Sequence, residues 1–391
     1  MKKITILGNF SGRNAGDTAI LGCLLKDISS RYTDVEFHVP TINTNYVASA
    51  YNKYNVKPIG LMPWNLSVKI YGLPIYRATM NADLILVTDA ILFDRKLYNP
   101  LFNYLWTLSK VIPKAKKKGV PTILYNSSLG PIRLKAGKKS LRCITDNADI
   151  LILRDKDSIE LLKELGFPHN VVHEGADCAL NAQPSSDIRF KEIRKTEKLF
   201  ESDRPVIGFN VNSYVDAFVR ENGKKFGRDQ LVNIYAETVD RIINRLGVDI
   251  IFVETQHMDM GIANDVLGKI KNQNQIRLVS NKKYSYEDIC AVLHRLDLFA
   301  GMRTHSLILS SAMGVPPVGI MTYPKNLGYM RTIGLENNLI QFRNLTADNY
   351  TQLITRAFEN RESLKTEMIP RVKREKEKAQ AAAKTLAPYL S

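Results

Sequence analysis

The feature that most constrains the fold of this chain is an alternation of short, continuous apolar runs with longer amphipathic stretches. In the first half the apolar runs include Ile4–Phe10, Asp83–Ala90 and Ile150–Asp155, and helical patterns such as Asp17–Tyr32 lie between them. Strands that are apolar on both faces and separated by helices are typical of a parallel sheet covered on both sides. The sequence therefore predicts an α/β chain with doubly wound sheets.

A polar and charged segment, Ala182–Arg204, interrupts this alternation, which resumes at Pro205. We therefore expect two Rossmann-like domains that face each other, with the active site in the interdomain cleft. The expected segments are an N-terminal domain, a linker, a C-terminal domain and a C-terminal helical segment: 1–185, 186–204, 205–345 and 346–391.

The charge balance restricts the partners. The 391 residues include 55 Lys and Arg against 39 Asp and Glu, which gives a formal net charge of +16. Such an excess attracts anions, and nucleic acid, acidic lipid and phosphorylated metabolites all fit it. The hydrophobic fraction of 45% is that of a globular protein and excludes a disordered chain.

Cysteine usage and hydropathy indicate the compartment. The four cysteines, Cys23, Cys143, Cys178 and Cys290, lie far apart and form no C-x-x-C pair. This spacing disfavours a zinc cluster and a disulfide framework. The first apolar run is too short for a signal peptide, and no run approaches the ~18 apolar residues that span a bilayer. We expect a cytoplasmic protein without metal or cofactor, and a peripheral position on the membrane stays open.

Cationic side chains follow several apolar runs, at the end of a parallel sheet where ligands bind. Arg154 follows a run of the first half, Arg303 and His305 follow a run of the second, and Lys325 follows the next one. Together they suit a ligand with phosphate and carboxylate groups, since Arg binds either group through two parallel hydrogen bonds. Each residue also has an interpretation without a ligand. Arg154 would pair with a nearby aspartate, Arg303 would cap an interdomain contact, and Lys325 would simply be exposed to solvent.

Further polar candidates stand at other strand ends. Asn14, Gly16 and Asp17 precede a helix, where they either bind an anion or a hydroxyl group or form a turn with Asp17 as helix cap. Asp89 lies near the end of an apolar run. His257 begins a His-x-Asp pair that contacts either substrate or a metal, but the spacing supplies no third metal ligand.

Two basic stretches rich in aromatic residues, 61–80 and 97–118, also stand out. The first contains Trp64, Tyr71 and Arg77, and the second contains Trp106 and ends in a cluster of lysines. Each is interpreted either as a surface that rests on an anionic membrane or as a crossover helix with a solvated basic end.

Taken in order, the motifs resemble the polysaccharide pyruvyl transferase family from about Ile4 to Gly334. The matching motifs are Asn14-Ala-Gly16-Asp17-Thr-Ala19, Ser128-Leu-Gly130-Pro131, Arg154-Asp155-Lys-Asp-Ser158, Asp177, Asp297-Leu-Phe-Ala-Gly301-Met-Arg303-Thr-His305-Ser306, Gly314-Val-Pro316 and Tyr323-Pro-Lys325. Two positions depart from the family pattern. Thr304 stands where the family often has Leu, and Asn126-Ser127 stands where it commonly has Gly-Gln, which bears on the acceptor.

The resemblance implies a fold like that of the two-domain (GT-B) glycosyltransferases, with the acceptor on the N-terminal side and the donor on the C-terminal side. It implies a transferase that moves the pyruvyl group of phosphoenolpyruvate to sugar hydroxyls of a cell-surface polysaccharide or its lipid-linked precursor, without metal. His305 is then the acid–base residue, since imidazole titrates at a pKa of about 6.5, and either Asp17 or Asp89 orients or deprotonates the acceptor. The expected substrate contacts are Arg154, Arg303, Lys325, Asn14, Gly16, Asp89, Ser128 and His257.

Two other functions stay open. A nucleotide-sugar glycosyltransferase shares the fold class, although the second half carries no persuasive acidic ribose-binding signature. A non-enzymatic basic protein that binds nucleic acid or membrane would account for the charge. No recognised nucleic-acid module is present, however, so we expect no nucleic-acid partner.

Overall fold

The computed structural model describes residues 1–60, 72–94, 104–213, 220–221, 224–322 and 324–390. The chain divides into two compact units. The first comprises Met1–Gly12, Ile20–Cys178 and Glu375–Ser391, and the second comprises Arg13–Ala19 and Ala179–Arg374. Each unit is built on a parallel sheet with alternating helices, so the predicted α/β class is confirmed.

The sheet of the first unit has seven parallel strands. They are β1 (Lys2–Leu7), β2 (Val35–Thr41), β3 (Val56–Gly60), β4 (Leu84–Val87), β5 (Thr122–Ser127), β6 (Ile150–Leu153) and β7 (Val172–Glu174). The connecting helices are α1 (Ala15–Ser29), α2 (Thr44–Ala50), α3 (Gly72–Met80), α4 (Tyr104–Lys117), α5 (Lys135–Thr145) and α6 (Lys156–Glu164). The strand order is β3-β2-β1-β4-β5-β6-β7, which begins with the 3-2-1-4-5-6 order of the Rossmann fold.

The core of this unit forms because its central strands β1, β4 and β5 are buried over most or all of their length. All four residues of β4 are fully buried, as expected for a strand with helices on both faces. Helix α5 packs Leu141 and Ile144 into the same core and leaves Lys138 and Arg142 exposed on its other side. The helical period of its apolar residues produces this division.

The second unit has a six-stranded parallel sheet and a separate antiparallel pair. Its strands are β8 (Val206–Phe209), β9 (Arg220–Glu221), β10 (Lys224–Lys225), β11 (Asp249–Glu254), β12 (Ile276–Ser280), β13 (Leu298–Gly301), β14 (Pro317–Met321) and β15 (Leu339–Gln341). The order of the parallel sheet is β12-β11-β8-β13-β14-β15, again that of a Rossmann fold, and β9 pairs with β10. Ligands of such sheets bind beyond the carboxyl ends of the strands.

The helices of the remaining chain are α7 (Asp187–Glu197), α8 (Arg228–Leu246), α9 (Met260–Leu267), α10 (Tyr286–Leu293), α11 (Thr304–Ala312), α12 (Pro324–Thr332), α13 (Ala347–Glu359), α14 (Arg361–Ala381) and α15 (Ala387–Leu390). Helix α7 thus lies within the segment 186–204 that was expected to link two domains. Within the described ranges, none of the helices combines the length and apolar character that crossing a membrane requires.

Replacing Phe209 by Ala should destabilise the second unit by about 3–5 kcal/mol, the usual cost of emptying a buried aromatic site. Phe209 is fully buried in β8, and its ring lies 5.8 Å from that of Phe252 and 6.3 Å from that of Tyr235. Urea unfolding followed by circular dichroism measures the loss. The control Ile188→Ala, at a residue that is 75% exposed, should change the free energy of unfolding by less than about 0.5 kcal/mol.

Candidate functional site

Two predicted site residues of the second unit stand together where β13 ends and α11 begins. Arg303 is the N-cap residue of α11, and His305 lies in its first turn. Their side chains are 14% and 13% exposed. The carboxyl end of a parallel strand and the positive end of a helix dipole coincide here, an arrangement that attracts anions.

A buried carboxylate fixes the guanidinium of Arg303. Its Nε donates to Oδ2 of Asp259 at 2.6 Å, and its Nη2 donates to Oδ1 of Asp259 at 2.7 Å. Asp259 is fully buried and also accepts hydrogen bonds from the backbone N and the Oγ of Ser213. Two parallel bonds define both the position and the plane of a guanidinium. The sequence pattern does not predict this pair.

A second buried carboxyl group, that of Glu254, ends strand β11. It accepts hydrogen bonds from Asn210 Nδ2 at 3.1 Å and from the backbone N of Val211 at 3.3 Å. Burial and the nearby charge of Asp259 raise the pKa of Glu254 well above its usual value of 4.5, although the Val211 bond and the charge of Arg303 oppose the shift. The folded protein therefore favours the neutral form of Glu254.

The first loop of the chain is held at the end of β11. Residues 13–19 belong to the second unit. Ala15 N donates to the carbonyl of Thr255 at 2.8 Å, and His257 N donates to the carbonyl of Arg13 at 3.0 Å. These backbone bonds join segments that are far apart in sequence and place the first turn of α1 beside the strand ends of the second unit.

This placement brings Gly16 and Asp17 to His305. A Cβ atom at Gly16 would lie 2.3 Å from Cβ and Cγ of His305, so only glycine fits there. Asn14 Oδ1 accepts a hydrogen bond from Gly16 N at 2.8 Å and supports the turn. Asp17 is 7% exposed, and its Oδ1 lies 3.9 Å from Nδ1 of His305. The two groups are therefore within ion-pair distance of each other.

Lys325 lies at the same edge of the sheet. It is half-buried in the first turn of α12, next to the fully buried Asn326. Thr304 Oγ1 donates to Asn326 Oδ1 at 2.5 Å, and Asn326 Nδ2 donates to the carbonyl of Met302 at 3.2 Å. Thr304, one of the two departures from the family pattern, thus helps to tie the first turns of α11 and α12 together.

His257 has a mainly structural environment. Its Nε2 lies 3.3 Å from the carbonyl of Asn281, and burial lowers the pKa of the imidazole. Asp259, the other residue of the His-x-Asp pair, is bound to Arg303 instead. Among the residues that the structure describes, no three His, Cys, Asp or Glu side chains are grouped to hold a metal ion.

In the first unit, Arg154 follows β6 and is surrounded by carboxylates. Its Nη1 lies 2.7 Å from Asp177 Oδ2 and 3.9 Å from Asp89 Oδ1, and its Nε lies 4.0 Å from Asp155 Oδ2. Burial alone would lower the pKa of Arg154, but these three charges reverse the effect and raise it. The side chain is 7% exposed, and its main partner is Asp177 rather than the neighbouring aspartates that the sequence suggested.

The remaining predicted residues of this unit line the ends of β4 and β5. Asp89 has a φ of 69°, and its carbonyl accepts a hydrogen bond from Ser128 N at 3.1 Å. Ser128 is fully buried. Asn126, the other departure from the family pattern, donates from Nδ2 to the carbonyl of Ala379 at 3.1 Å. That amide therefore anchors α14.

The structure thus groups the predicted residues in two sets, one in each unit. The second unit brings together Asn14, Gly16, Asp17, Arg303 and His305, with Lys325 at the same sheet edge. The first unit brings together Asp89, Ser128 and Arg154. The sequence predicts neither Glu254 and Asn210 nor the bond of Asp259 to Arg303, and the one available signal is that polar residues directly follow the apolar strands.

Comparison with known proteins gives a family match over most of the chain. The family model described as polysaccharide pyruvyl transferase matches residues 14–322. Among curated proteins, the amylovoran biosynthesis protein AmsJ of Erwinia amylovora is 22% identical to this chain. The alignment is 416 residues long with its gaps and covers 96% of each protein.

Solved structures share the fold. HepE of Anabaena in complex with UDP superposes with a TM-score of 0.62 at 15% identity, over 100% of this chain and 99% of that one. The UDP-GlcNAc 2-epimerase of Neisseria meningitidis bound to UDP-GlcNAc gives a TM-score of 0.65 at 11% identity, with the same coverage. Such neighbours are GT-B glycosyltransferases and epimerases, and at these identities they establish the two-domain fold alone.

Replacing Gly16 by Ala should displace the imidazole of His305, because the added methyl group would overlap it. We expect a loss of about 1–3 kcal/mol in the free energy of unfolding and a shift of the His305 ring signals in a nitrogen–proton NMR spectrum. Gly261→Ala is the control, since its added Cβ would approach no atom closer than 3.6 Å. An unshifted His305 spectrum in Gly16→Ala would contradict the contact.

Replacing Glu254 by Gln should change how stability depends on pH. Because the folded pKa is raised, the wild-type unfolded state ionises above pH 4.5 while the folded state stays protonated, so stability falls as the pH rises. The variant lacks this loss. Its free energy of unfolding relative to wild type should rise by up to about 1.4 kcal/mol per pH unit above that point. Urea titrations at several pH values test this, and the exposed Glu359→Gln should show no such rise.

Proposed function

The chain belongs to the polysaccharide pyruvyl transferase family and is a pyruvyltransferase of polysaccharide synthesis, and from this premise we propose that its donor is phosphoenolpyruvate and its product a pyruvate ketal. The observation that carries the proposal is the juxtaposition of His305, Arg303 and Asp17 at the N-terminus of α11. An acid–base group beside a fixed cation is what an enol phosphate requires.

The reaction has two additions at C2 of the donor. Protonated His305 transfers a proton to the methylene carbon, which becomes a methyl group, and the electrophilic C2 is attacked by one sugar hydroxyl. The C2–O bond to phosphate then breaks, and a second hydroxyl of the same sugar adds to close the ketal. Of the two hydroxyl protons, one replaces the proton that His305 gave to the methyl carbon. The other leaves on the released phosphate.

The charged residues have distinct roles in this scheme. Arg303, which Asp259 orients, and Lys325 bind the phosphate and carboxylate of the donor, and the first turn of α11 adds its helix dipole. Asp17 stabilises the imidazolium of His305 and receives a hydroxyl proton from the acceptor. Asn14 and Gly16 shape this loop around the imidazole.

We assign the first unit to the acceptor side. Arg154 carries one positive charge among three carboxylates, so this cluster as a whole is acidic and suits sugar hydroxyls better than a second anion. The side-chain oxygen atoms of Asp89 and Ser128 are of the kind that form hydrogen bonds with the hydroxyl groups of a sugar acceptor. The acceptor is a cell-surface polysaccharide or its lipid-linked precursor. We propose a cytoplasmic location, because free cysteines suit a reducing compartment.

Replacing His305 by Ala should lower turnover by about 10²- to 10⁴-fold, the usual contribution of an acid–base group. Phosphate release and the mass gain of a panel of glycosides, measured with phosphoenolpyruvate as donor, report the rate. Binding of phosphoenolpyruvate, measured by thermal shift, should weaken only a few-fold because Arg303 and Lys325 remain. The exposed His173→Ala is the control and should behave as wild type.

The same assays distinguish the proposal from its alternative. If UDP-sugars raise the melting temperature and phosphoenolpyruvate does not, the chain uses a nucleotide-sugar donor instead. Near wild-type turnover of His305→Ala would show that this residue takes no part in the chemistry. The identity of the donor would then still be decided by the thermal-shift measurements.

A further inference from the structure

Three adjacent helices of the first unit form a surface with one sign of charge. Helices α3, α4 and α5 contain nine Lys and Arg residues and no Asp or Glu. All nine are exposed: Arg77, Lys110, Lys114, Lys116, Lys117, Lys135, Lys138, Lys139 and Arg142. We call this set the basic face.

The helices of the basic face pack against one another, so their charges lie on one continuous surface. The ammonium group of Lys114 on α4 lies 5.4 Å from the ring centre of Tyr76 on α3. Cys143 on α5 donates from Sγ to the carbonyl of Ser109 on α4 at 3.3 Å. Along α4, Trp106, Lys110 and Lys114 recur every four residues and therefore share one side of the helix.

Large apolar side chains are exposed on the same surface. Trp106 is 44% exposed on α4, Leu73 is 52% exposed on α3, and Leu134 is 40% exposed at the N-cap of α5. The ammonium group of Lys110 lies 5.7 Å from the ring centre of Trp106. Tryptophan and leucine beside lysines are the residues that anchor a helix in the interface of a bilayer.

Few acidic groups compensate this charge. In the described part of the surface, the ion pairs are those of Lys116 with Asp149 and of Arg142 with Asp146. Both aspartates follow α5 rather than belonging to the helices. Lysines that are exposed and close together repel one another, a cost that a surface of opposite charge removes.

We propose that the basic face docks on an anionic lipid bilayer, with Trp106 and Leu73 inserted among the headgroups. Charge complementarity selects an anionic partner, and the exposed apolar residues select a bilayer over nucleic acid, whose phosphates take up cations but offer no apolar layer. Docking depends on the surface alone and is independent of the identity of the donor. It would place the first unit beside any acceptor that is linked to lipid.

Sedimentation with vesicles tests the docking. The full chain should bind phosphatidylcholine vesicles that contain about 30% phosphatidylglycerol, a typical anionic fraction, and not phosphatidylcholine alone. Binding should fall with added salt. Lys114→Gln with Lys138→Gln should lower the partition coefficient roughly 10- to 30-fold, since each lysine near such a surface contributes about 1 kcal/mol.

A matched control pair removes the same charge elsewhere. Lys365→Gln with Lys373→Gln changes two exposed lysines of α14, outside the basic face, and should leave vesicle binding nearly unchanged. Equal loss in both pairs, equal binding to neutral vesicles, or no binding at all would overturn the proposal. Tighter binding to duplex DNA than to anionic vesicles, with loss in the first pair, would overturn it in favour of a nucleic-acid surface.

Tryptophan fluorescence supplies a readout of insertion. The chain has two tryptophans, so Trp64→Phe leaves Trp106 as the only emitter. Its emission should shift to shorter wavelength on addition of anionic vesicles and be quenched by brominated lipid. Emission that stays constant while the protein sediments with vesicles would refute the insertion of Trp106.

Discussion

The buried ion pair between Asp259 and Arg303 is the interaction on which the second unit's site depends. Transferring both charges out of water costs several kcal/mol for each ion, and two short parallel hydrogen bonds with further bonds from Ser213 offset that cost. Such a pair adds little net stability. Its effect is to fix one guanidinium at the first turn of α11, where a flexible side chain would otherwise move among several rotamers.

The same pair explains the state of Glu254. If Glu254 were ionised as well as Asp259, the single guanidinium of Arg303 would leave one buried negative charge uncompensated. Protonation of Glu254 removes that charge, while Asn210 and Val211 keep its oxygen atoms hydrogen-bonded. The network is therefore close to neutral, and it holds the guanidinium of Arg303 in one orientation at the N-terminus of α11.

Much of this arrangement could be predicted from sequence, because parallel sheets follow from continuous apolar runs and ligand groups follow the strands. Strands β1, β4 and β6 overlap the predicted runs Ile4–Phe10, Asp83–Ala90 and Ile150–Asp155. Strand β3 was missed, since this edge strand contains Lys57 and Pro58 and no buried residue. The sequence pairs Asp259 with His257 in a His-x-Asp motif, and only side-chain packing across 44 positions reveals its bond to Arg303.

The position of the first loop shows why chain order does not decide spatial grouping. Residues 13–19 follow β1 directly, yet their backbone pairs with residues 255–257 and they belong to the second unit. A motif of hydrogen bonds between two loops carries no hydrophobic period, so the sequence offers no sign of it. The pairing matters because it puts Asp17 beside His305.

The net charge of +16 invites the interpretation that the ligand site is basic, but the charge is distributed otherwise. Arg154 has three carboxylates around it and Arg303 has one buried partner, so each of the two predicted anion-binding arginines is oriented by a carboxylate. Helices α3, α4 and α5 contain nine Lys and Arg residues and no Asp or Glu, and in the described part of the surface Lys116 and Arg142 are the two of them that form ion pairs. Positive charges that are spread over the protein surface attract extended anionic surfaces. A small ligand is bound instead by the few groups whose orientation is fixed by buried carboxylates.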